Sequence, residues 1–196
     1  MRSLIIRPIQ AGFTLVELLI VVIIIAILAA IIVPQFSSAT LVAQEATLDA
    51  NLGAMRSAIE LFRAQHTNVY PGGAASNVGT ACAAGQGTGA INTAQAFTDH
   101  LLLSSDATGN TCKVSDATFK YGPYFRKGIP PDPIYGKGAA VIGGTIVAGE
   151  IDVKTAGTPL APSANPGGGW QYDTKSGQIV MNSAASDSKT KAYSTH

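Results

Sequence analysis

The chain has 196 residues, a formal net charge of +1 at pH 7, and 13% charged residues against 46% hydrophobic ones. This length is enough for one domain of ordinary size plus a membrane helix. The low charge argues against a nucleic-acid-binding surface, which needs clustered Lys and Arg. We therefore predict no nucleic-acid partner, and the Ala- and Gly-rich composition is compatible with a subunit that packs against copies of itself.

A long apolar segment starts close to the N-terminus. Residues 18–33 carry no polar side-chain atom, and with residues 13–16 in front the segment reaches the roughly 20 residues that a helix needs to cross a bilayer. Arg2 and Arg7 precede the segment, and the next basic residue is Arg56. By the positive-inside rule, this distribution predicts a membrane helix with a cytoplasmic N-terminus and an exported remainder.

Glu17 lies among apolar neighbours at the start of this segment, where an unpaired carboxylate is costly. No Lys, Arg or His lies between Arg7 and Arg56, so the same helix offers no cation one turn away. Cleavage after Gly12 would give Phe13 a free α-amino group. We therefore predict that Glu17 pairs with the Phe13 amine of a neighbouring chain, and that this pair sets the stagger between subunits during assembly.

Residues 12–18 have the sequence Gly-Phe-Thr-Leu-Val-Glu-Leu. This run follows a short basic leader and resembles the processing and methylation site of type IV pilins and type II secretion pseudopilins. Pro34 also stands where many of these helices carry a proline. The resemblance implies that a membrane-embedded prepilin peptidase removes the leader 1–12 by cleaving between Gly12 and Phe13 on the cytoplasmic side, and that it N-methylates Phe13.

An ordinary secretory signal peptide is the alternative for this region. A basic start, the apolar core at 18–33 and the small residues at 37–39 would be its three parts, and the mature chain would begin at Thr40. The acidic Glu17, the length of the apolar run and the helical pattern beyond residue 39 all favour the membrane helix.

The helical pattern continues beyond Pro34. We predict one helix from about residue 13 to about residue 65, with a transmembrane and assembly part at 13–34 and an amphipathic part within 35–67. Pro34 has no amide hydrogen, so we expect a kink, local opening or break of the helix there. Apolar residues recur at helical spacing along one face of the second part, and they are Leu41, Leu48, Leu52, Met55, Ile59 and Phe62.

A globular head is predicted at residues 68–182. The Tyr-Pro-Gly-Gly run at 70–73 ends the long helix, and residues 74–89 are predicted to form a flexible surface loop. A short helix, capped by Asn92 or Thr93, follows and extends to Leu103.

The chain contains two cysteines, Cys82 and Cys112. Export delivers them to an oxidising compartment, which favours a disulfide between them, whereas a metal site would need more ligands. Closing a loop of about 30 residues is worth roughly 3 to 4 kcal/mol in the chain-entropy model. The bridge would hold the loop region and the short helix together.

Strand patterns occupy the C-terminal part of the head. We predict strands at 139–147, interrupted by Gly143-Gly144, and at 150–153. A hairpin follows, with strands at 169–173 and 178–182 joined by a turn at 174–177. Residues 183–196 are poor in apolar side chains and are predicted to be a mobile tail. The side chains expected to cover the long helix are Trp170, Tyr172, Ile179 and Met181.

These elements predict an α+β fold, in which a long N-terminal α-helix, membrane-spanning in its first half, packs on a small antiparallel β-sheet. The fold would be pilin-like. Three segments of the head are similar to segments of type II secretion pseudopilins: Tyr70-Pro71, Pro131-Asp132-Pro133 and the Gly-Trp-x-Tyr strand that starts at Gly169.

We find no catalytic constellation in the sequence. His66, His100 and His196 are isolated, and neither a Gly-x-Ser-x-Gly elbow nor a His-Glu-x-x-His helix is present. The spacing of Ser186 and Lys189 matches a Ser-x-x-Lys motif, but it falls in the predicted tail. We therefore predict no enzymatic activity and no required cofactor.

Calcium is the one metal that we consider for this sequence. Asp132, Asp152 and Asp173 are its candidate ligands, because the pseudopilins that the chain resembles often bind calcium in C-terminal loops. Their spacing matches no recognisable ligand pattern, so roles in turns or on the surface are the alternative. Calcium-dependent thermal stabilisation would support the site.

Two classes of function follow from these features. The first is a structural subunit that polymerises with its own copies and other pilins on an assembly platform, first in the bacterial inner membrane and then in a periplasmic or cell-surface filament. Within this class, the segments in the head favour a secretion pseudopilin, whereas the larger loop region and the disulfide would also suit a surface pilus subunit for adhesion, motility or DNA uptake. The second class is a signal-anchored enzyme or binding protein of the envelope with no filament role.

Overall fold

A computed structural model describes residues 12–77, 79, 82–135, 139–142, 145–147, 151–162 and 169–196, with the backbone alone at Ser37 and in the strands between 139 and 147. The chain divides into two units, Met1–Leu41 and Val42–His196. The N-terminal unit contains the first part of the long helix, and the C-terminal unit contains the rest of that helix together with the head.

The long helix α1 extends over Leu15–Gln65, as the sequence predicted. α1 is continuous through Pro34, in contrast to the helix break expected there. A proline removes only its own amide from the hydrogen-bond ladder, and long helical stretches on both sides of Pro34 keep their backbone bonds.

The first part of α1 exposes its apolar side chains all around the helix. The exposed fraction ranges from 43% for Ile32 to 82% for Leu15. Among the described residues, α1 is the one helix that is long and apolar enough to cross a membrane, judged by length and composition. A helix that is apolar on every side needs lipid or other helices around it.

The second part of α1 buries one face in the core of the head. The side chains of Leu48, Leu52, Met55 and Ile59 are fully buried, at the helical spacing that the sequence predicted. Leu41, which belongs to the same sequence pattern, is instead 46% exposed and lies in the N-terminal unit. The buried face therefore begins later than the pattern suggested.

Three small sheets complete the head. β1 (Ser104–Ser105) and β2 (Thr111–Cys112) form an antiparallel pair. β3 (Gly128–Ile129), β4 (Ala139–Ile142) and β5 (Thr145–Val147) form an antiparallel sheet in that order. The third sheet contains β6 (Ile151–Lys154), β7 (Trp170–Asp173) and β8 (Ile179–Met181).

The third sheet is mixed rather than purely antiparallel. β7 pairs antiparallel with β8 as a hairpin, which confirms the prediction, but β6 pairs parallel with β7. Parallel neighbours need a connection of a dozen or more residues, and the segment between Lys154 and Trp170 has that length. A tight turn there would have imposed the antiparallel arrangement that the sequence analysis assumed.

Aromatic side chains of β7 join this sheet to α1. Trp170 and Tyr172 are fully buried in one hydrophobic cluster with the apolar face of α1, Ile179 and Met181. Their polar ends are satisfied, because the Trp170 indole N–H donates to the Pro130 carbonyl at 2.9 Å and the Tyr172 hydroxyl donates to the Pro71 carbonyl at 2.9 Å. The predicted covering of the helix by this hairpin is confirmed.

The short helix α2 extends over Ala94–Leu102. The Thr93 hydroxyl caps its start by accepting a hydrogen bond from the Ala96 amide at 3.1 Å. Asn92, the other candidate cap, lies in the left-handed region with φ of 61° and accepts a hydrogen bond from the Thr174 hydroxyl. The structure thus assigns the cap to Thr93 and an anchoring role to Asn92.

Residues 183–196 are folded against the head, so the predicted mobile tail is wrong. Tyr193 is 5% exposed and belongs to the hydrophobic cluster. The Ser188 amide and hydroxyl both donate to the Glu45 carboxylate of α1, at 2.7 and 2.6 Å. A single buried aromatic ring and hydrogen bonds to α1 hold a segment whose low apolar content suggested disorder.

We expect Tyr193→Ala to lower the free energy of unfolding by roughly 2 to 4 kcal/mol, because it deletes a buried ring and leaves a cavity. Urea denaturation of the detergent-solubilised chain measures this change. Tyr193→Phe is the matched control and should stay close to wild type, because it keeps the ring. Equal stability of Tyr193→Ala and wild type would instead support a mobile C-terminal segment at residues 183–196.

Candidate processing and assembly site

The candidate site lies at the start of α1. The structure describes it from Gly12 onward, and the remainder of the predicted leader, residues 1–11, lies outside the described residues. Phe13 is 79% exposed. The predicted cleavage position between Gly12 and Phe13 lies in non-helical backbone two residues before the start of α1 at Leu15.

Thr14 and Glu17 form a capping box at this helix end. The Glu17 amide donates to the Thr14 hydroxyl oxygen at 3.2 Å. In return, the Thr14 amide and hydroxyl both donate to Glu17 Oε2, at 3.3 and 3.1 Å. The reciprocal bonds satisfy two amides that a helix start leaves without intrahelical partners.

The sequence analysis missed this role of Glu17. Its signal was present as Thr-x-x-Glu directly before the apolar run, which is the pattern of a capping box. The carboxylate also lies at the positive end of the helix dipole, which favours a negative charge there. Glu17 thus has a partner within its own chain, and its pairing with the Phe13 amine of another chain remains a prediction.

The disulfide between Cys82 and Cys112 is present, as predicted. The two Cα atoms are 5.6 Å apart, and the bridge spans 30 positions of sequence. Cys112 lies in β2, and the Lys113 amide donates to the Gly85 carbonyl at 3.0 Å. The bridge therefore joins the loop that follows α1 to the small β1–β2 sheet.

Asp99 on α2 organises this loop, which the sequence analysis treated as flexible. The Asp99 side chain is 1% exposed and accepts hydrogen bonds from the Ser76 hydroxyl at 2.6 Å and from the Thr88 and Gly89 amides at 2.8 and 3.0 Å. A Cβ atom at Gly89 would overlap the backbone of Ala96. The glycines of this loop thus allow close packing on α2.

The candidate calcium ligands have partners within the protein. Asp132 accepts hydrogen bonds from the amides of Ile134, Tyr135 and Gly169. Asp173 accepts them from the Ser176 amide and hydroxyl and the Gly157 amide, and Asp152 pairs with Lys154 at 2.9 Å. No group of three or more His, Cys, Asp or Glu side chains that could hold a metal occurs in the described part of the chain.

Two of the three histidines lie together in the head, and the third lies near the C-terminus. His66 and His100 are buried beside Phe62, with ring centroids 3.7 and 4.8 Å from the phenyl ring. Burial lowers the pKa of His66, and burial lowers that of His100 to about 4. His196 contacts Asp49 at 2.8 Å. The backbone of Ser186 pairs with that of Ala192, which gives the Ser-x-x-Lys segment a structural role.

Comparison with known protein families places this helix end in a defined class. The family model for the prokaryotic N-terminal methylation motif matches residues 7–33. The chain therefore carries the signature of type IV pilins and pseudopilins. Its long N-terminal helix and small sheets form the α+β arrangement of that class. No curated protein and no solved structure matches the chain.

We expect the double variant Cys82→Ser/Cys112→Ser to lose about 2 to 4 kcal/mol of unfolding free energy, because the reduced loop regains its freedom in the unfolded state. Urea denaturation with and without a thiol reductant measures the change. Reductant should destabilise the wild-type protein to the level of the variant and leave the variant unchanged. A variant as stable as oxidised wild type would contradict a stabilising role for the bridge.

Proposed function

We propose that this protein is a structural subunit of a type IV pilus-like filament, assembled through α1 after processing by a prepilin peptidase. The observation that carries the proposal is the methylation motif over residues 7–33, together with the exposure of the apolar side chains of the first part of α1 in the part of the chain that the structure describes. A side-chain surface of this kind costs roughly 25 cal/mol per Å² in water. Lipid removes that cost before assembly, and the helices of neighbouring subunits remove it in the filament.

Processing would create the charge that Glu17 needs. Hydrolysis of the Gly12–Phe13 peptide bond releases the leader and leaves an α-amino group on Phe13, which N-methylation keeps cationic. The capping box directs the Glu17 carboxylate toward the N-terminal end of α1, where such an amine lies. A neighbouring chain shifted along the helix axis would place its amine against this carboxylate in a low-dielectric setting, where an unpaired charge is expensive.

The proposed location follows from the same elements. The subunit is held in the bacterial inner membrane with its N-terminus in the cytoplasm, and it enters a periplasmic or cell-surface filament on assembly. The implied partners are the prepilin peptidase, the assembly platform, other pilins and further copies of this chain.

Within this class, we favour a pseudopilin of type II secretion. The pseudopilin-like segments of the head contact one another: the Trp170 indole binds the Pro130 carbonyl, Asp132 binds the Gly169 amide, and the Tyr172 hydroxyl binds the Pro71 carbonyl. They thus form one connected set of contacts around β7. Electron microscopy distinguishes a secretion pseudopilin from a surface pilus subunit, because long surface fibres built of this protein would favour the pilus.

Mass spectrometry of the mature protein tests the processing step. We expect an N-terminal peptide that starts at N-methylated Phe13, because the motif implies cleavage after Gly12. Native material that retains Met1, or that starts at Thr40, would contradict the proposal.

We expect Glu17→Gln to abolish filament assembly while the subunit still inserts and folds. Glutamine preserves the capping box but removes the charge that pairs with an amine, so the variant separates pairing from capping. Filament yield by electron microscopy and subunit level by immunoblot are the measurements.

Thr14→Ala is the matched control for this experiment. It removes the cap, at a cost of about 0.5 to 2 kcal/mol of helix stability, and keeps the Glu17 charge. It should therefore assemble better than Glu17→Gln. Wild-type assembly by Glu17→Gln would contradict intersubunit pairing, whereas full function of a Glu17→Gln variant that forms no filament would favour an anchored monomer.

A further inference from the structure

His100 connects two turns of the head through opposite sides of its ring. Its Nδ1 atom accepts a hydrogen bond from the Gly72 amide at 2.8 Å, and its Nε2 atom lies 2.9 Å from the Gly109 carbonyl. A carbonyl only accepts, so Nε2 carries the hydrogen and Nδ1 is bare. The neutral ring with this tautomer is the form that satisfies both contacts.

Protonation is incompatible with this arrangement. An imidazolium ring has a hydrogen on both nitrogens, so Nδ1–H would face the N–H of Gly72. The Gly109 bond would survive, whereas the Gly72 amide would lose its acceptor and meet a second donor. A proton on His100 therefore acts selectively on the turn that follows α1.

His66 responds differently, although it lies beside the same phenyl ring. Its Nδ1 atom donates to the Phe62 carbonyl at 2.7 Å, and its Nε2 atom contacts the Ser105 hydroxyl at 2.9 Å. A hydroxyl group can donate or accept. Protonation of His66 therefore requires only that the Ser105 hydroxyl rotate, and no contact is reversed.

The ionisable groups around His100 come from two elements. His66, directly after the end of α1, lowers the pKa of His100, and the charge of Asp99 on α2 raises that pKa. The Asp99 carboxylate is directed into hydrogen bonds with Ser76, Thr88 and Gly89. Asp106, in the connection between β1 and β2, raises the pKa of His66.

We propose that His100 is an acid-sensitive latch on the Tyr70–Gly73 turn that releases the Gly72 amide when the ring is protonated. The bonds of Tyr172 to the Pro71 carbonyl and of the Asn92 amide to the Gly72 carbonyl remain. The disulfide limits the movement, because Cys82 holds the loop to β2 beyond this turn. Trp170 and the buried face of α1 lie in the hydrophobic cluster and stay in place. The switch is local and reversible, and it does not depend on the proposed filament role.

Hydrogen exchange on the full chain in detergent, between pH 7.5 and pH 5, tests the latch at the Gly72 amide. Labelling times are scaled to the intrinsic exchange rate at each pH. The pKa of His100 is lowered from 6.5 to about 4 in the closed state, so opening takes up a proton in this interval. The closed turn is fully stable above pH 6.5 and loses stability as the pH falls toward 4, which predicts a loss of Gly72 protection at pH 5 relative to pH 7.5.

Two variants separate the latch from general acid unfolding. His100→Asn places an amide oxygen near the Nδ1 position and does not titrate, so Gly72 protection should no longer depend on pH. His66→Asn should keep a pH-dependent loss of Gly72 protection, displaced to higher pH because His66 no longer lowers the pKa of His100. In wild type, the amides of β7 should stay protected at pH 5. The latch is refuted by pH-independent protection of Gly72 in wild type, by a wild-type response in His100→Asn, or by an equal loss in β7.

Discussion

Removal of the apolar surface of α1 from water is the constraint on which the rest of the structure depends. The second half of the helix meets it within the chain, where the side chains of β7 and β8 cover Leu48, Leu52 and Ile59. Each fully buried side chain of this size contributes about 1.5 to 3 kcal/mol. The first half is apolar on every side and exposed in the described chain. Lipid or other helices therefore have to surround it. One helix thus combines a part that packs into the core of the head with a part that is apolar on every side.

The Glu17 carboxylate at the start of α1 has hydrogen-bond donors within its own helix end. In the Thr14–Glu17 capping box, Glu17 Oε2 accepts hydrogen bonds from the Thr14 amide and hydroxyl, and the Glu17 amide donates to the Thr14 hydroxyl oxygen. An intersubunit pair would have to replace hydrogen bonds that are already made. Under the proposed pairing, the amine of the neighbouring chain would have to compete with these local donors for the Glu17 carboxylate.

Polar contacts organise the part of the head that has few apolar residues. Asp99 accepts hydrogen bonds from the loop that follows α1, and His100 is hydrogen-bonded to two turns. The disulfide links this loop to β2. Buried polar groups stabilise a fold only when their partners are complete. The neutral His100 ring meets this condition at pH 7 and ceases to meet it when protonated, so the same network that orders the loop makes it sensitive to acid.

The amino-acid sequence by itself determined the features that depend on local pattern. The extent of α1, the Thr93 region as the start of α2 and the β7–β8 hairpin follow from periodicity and turn residues. The cysteine pair follows from the number of cysteines and the expected export, and the motif at Gly12–Glu17 was identified by its resemblance to a known family. The tertiary structure alone decided the parallel pairing of β6 with β7, the packing of residues 183–196 on α1, and the roles of Asp99 and His100. These features depend on which distant groups meet, and neither hydrophobic pattern nor local propensity carries that information, because a hydrogen bond between residues far apart in sequence leaves no periodic trace.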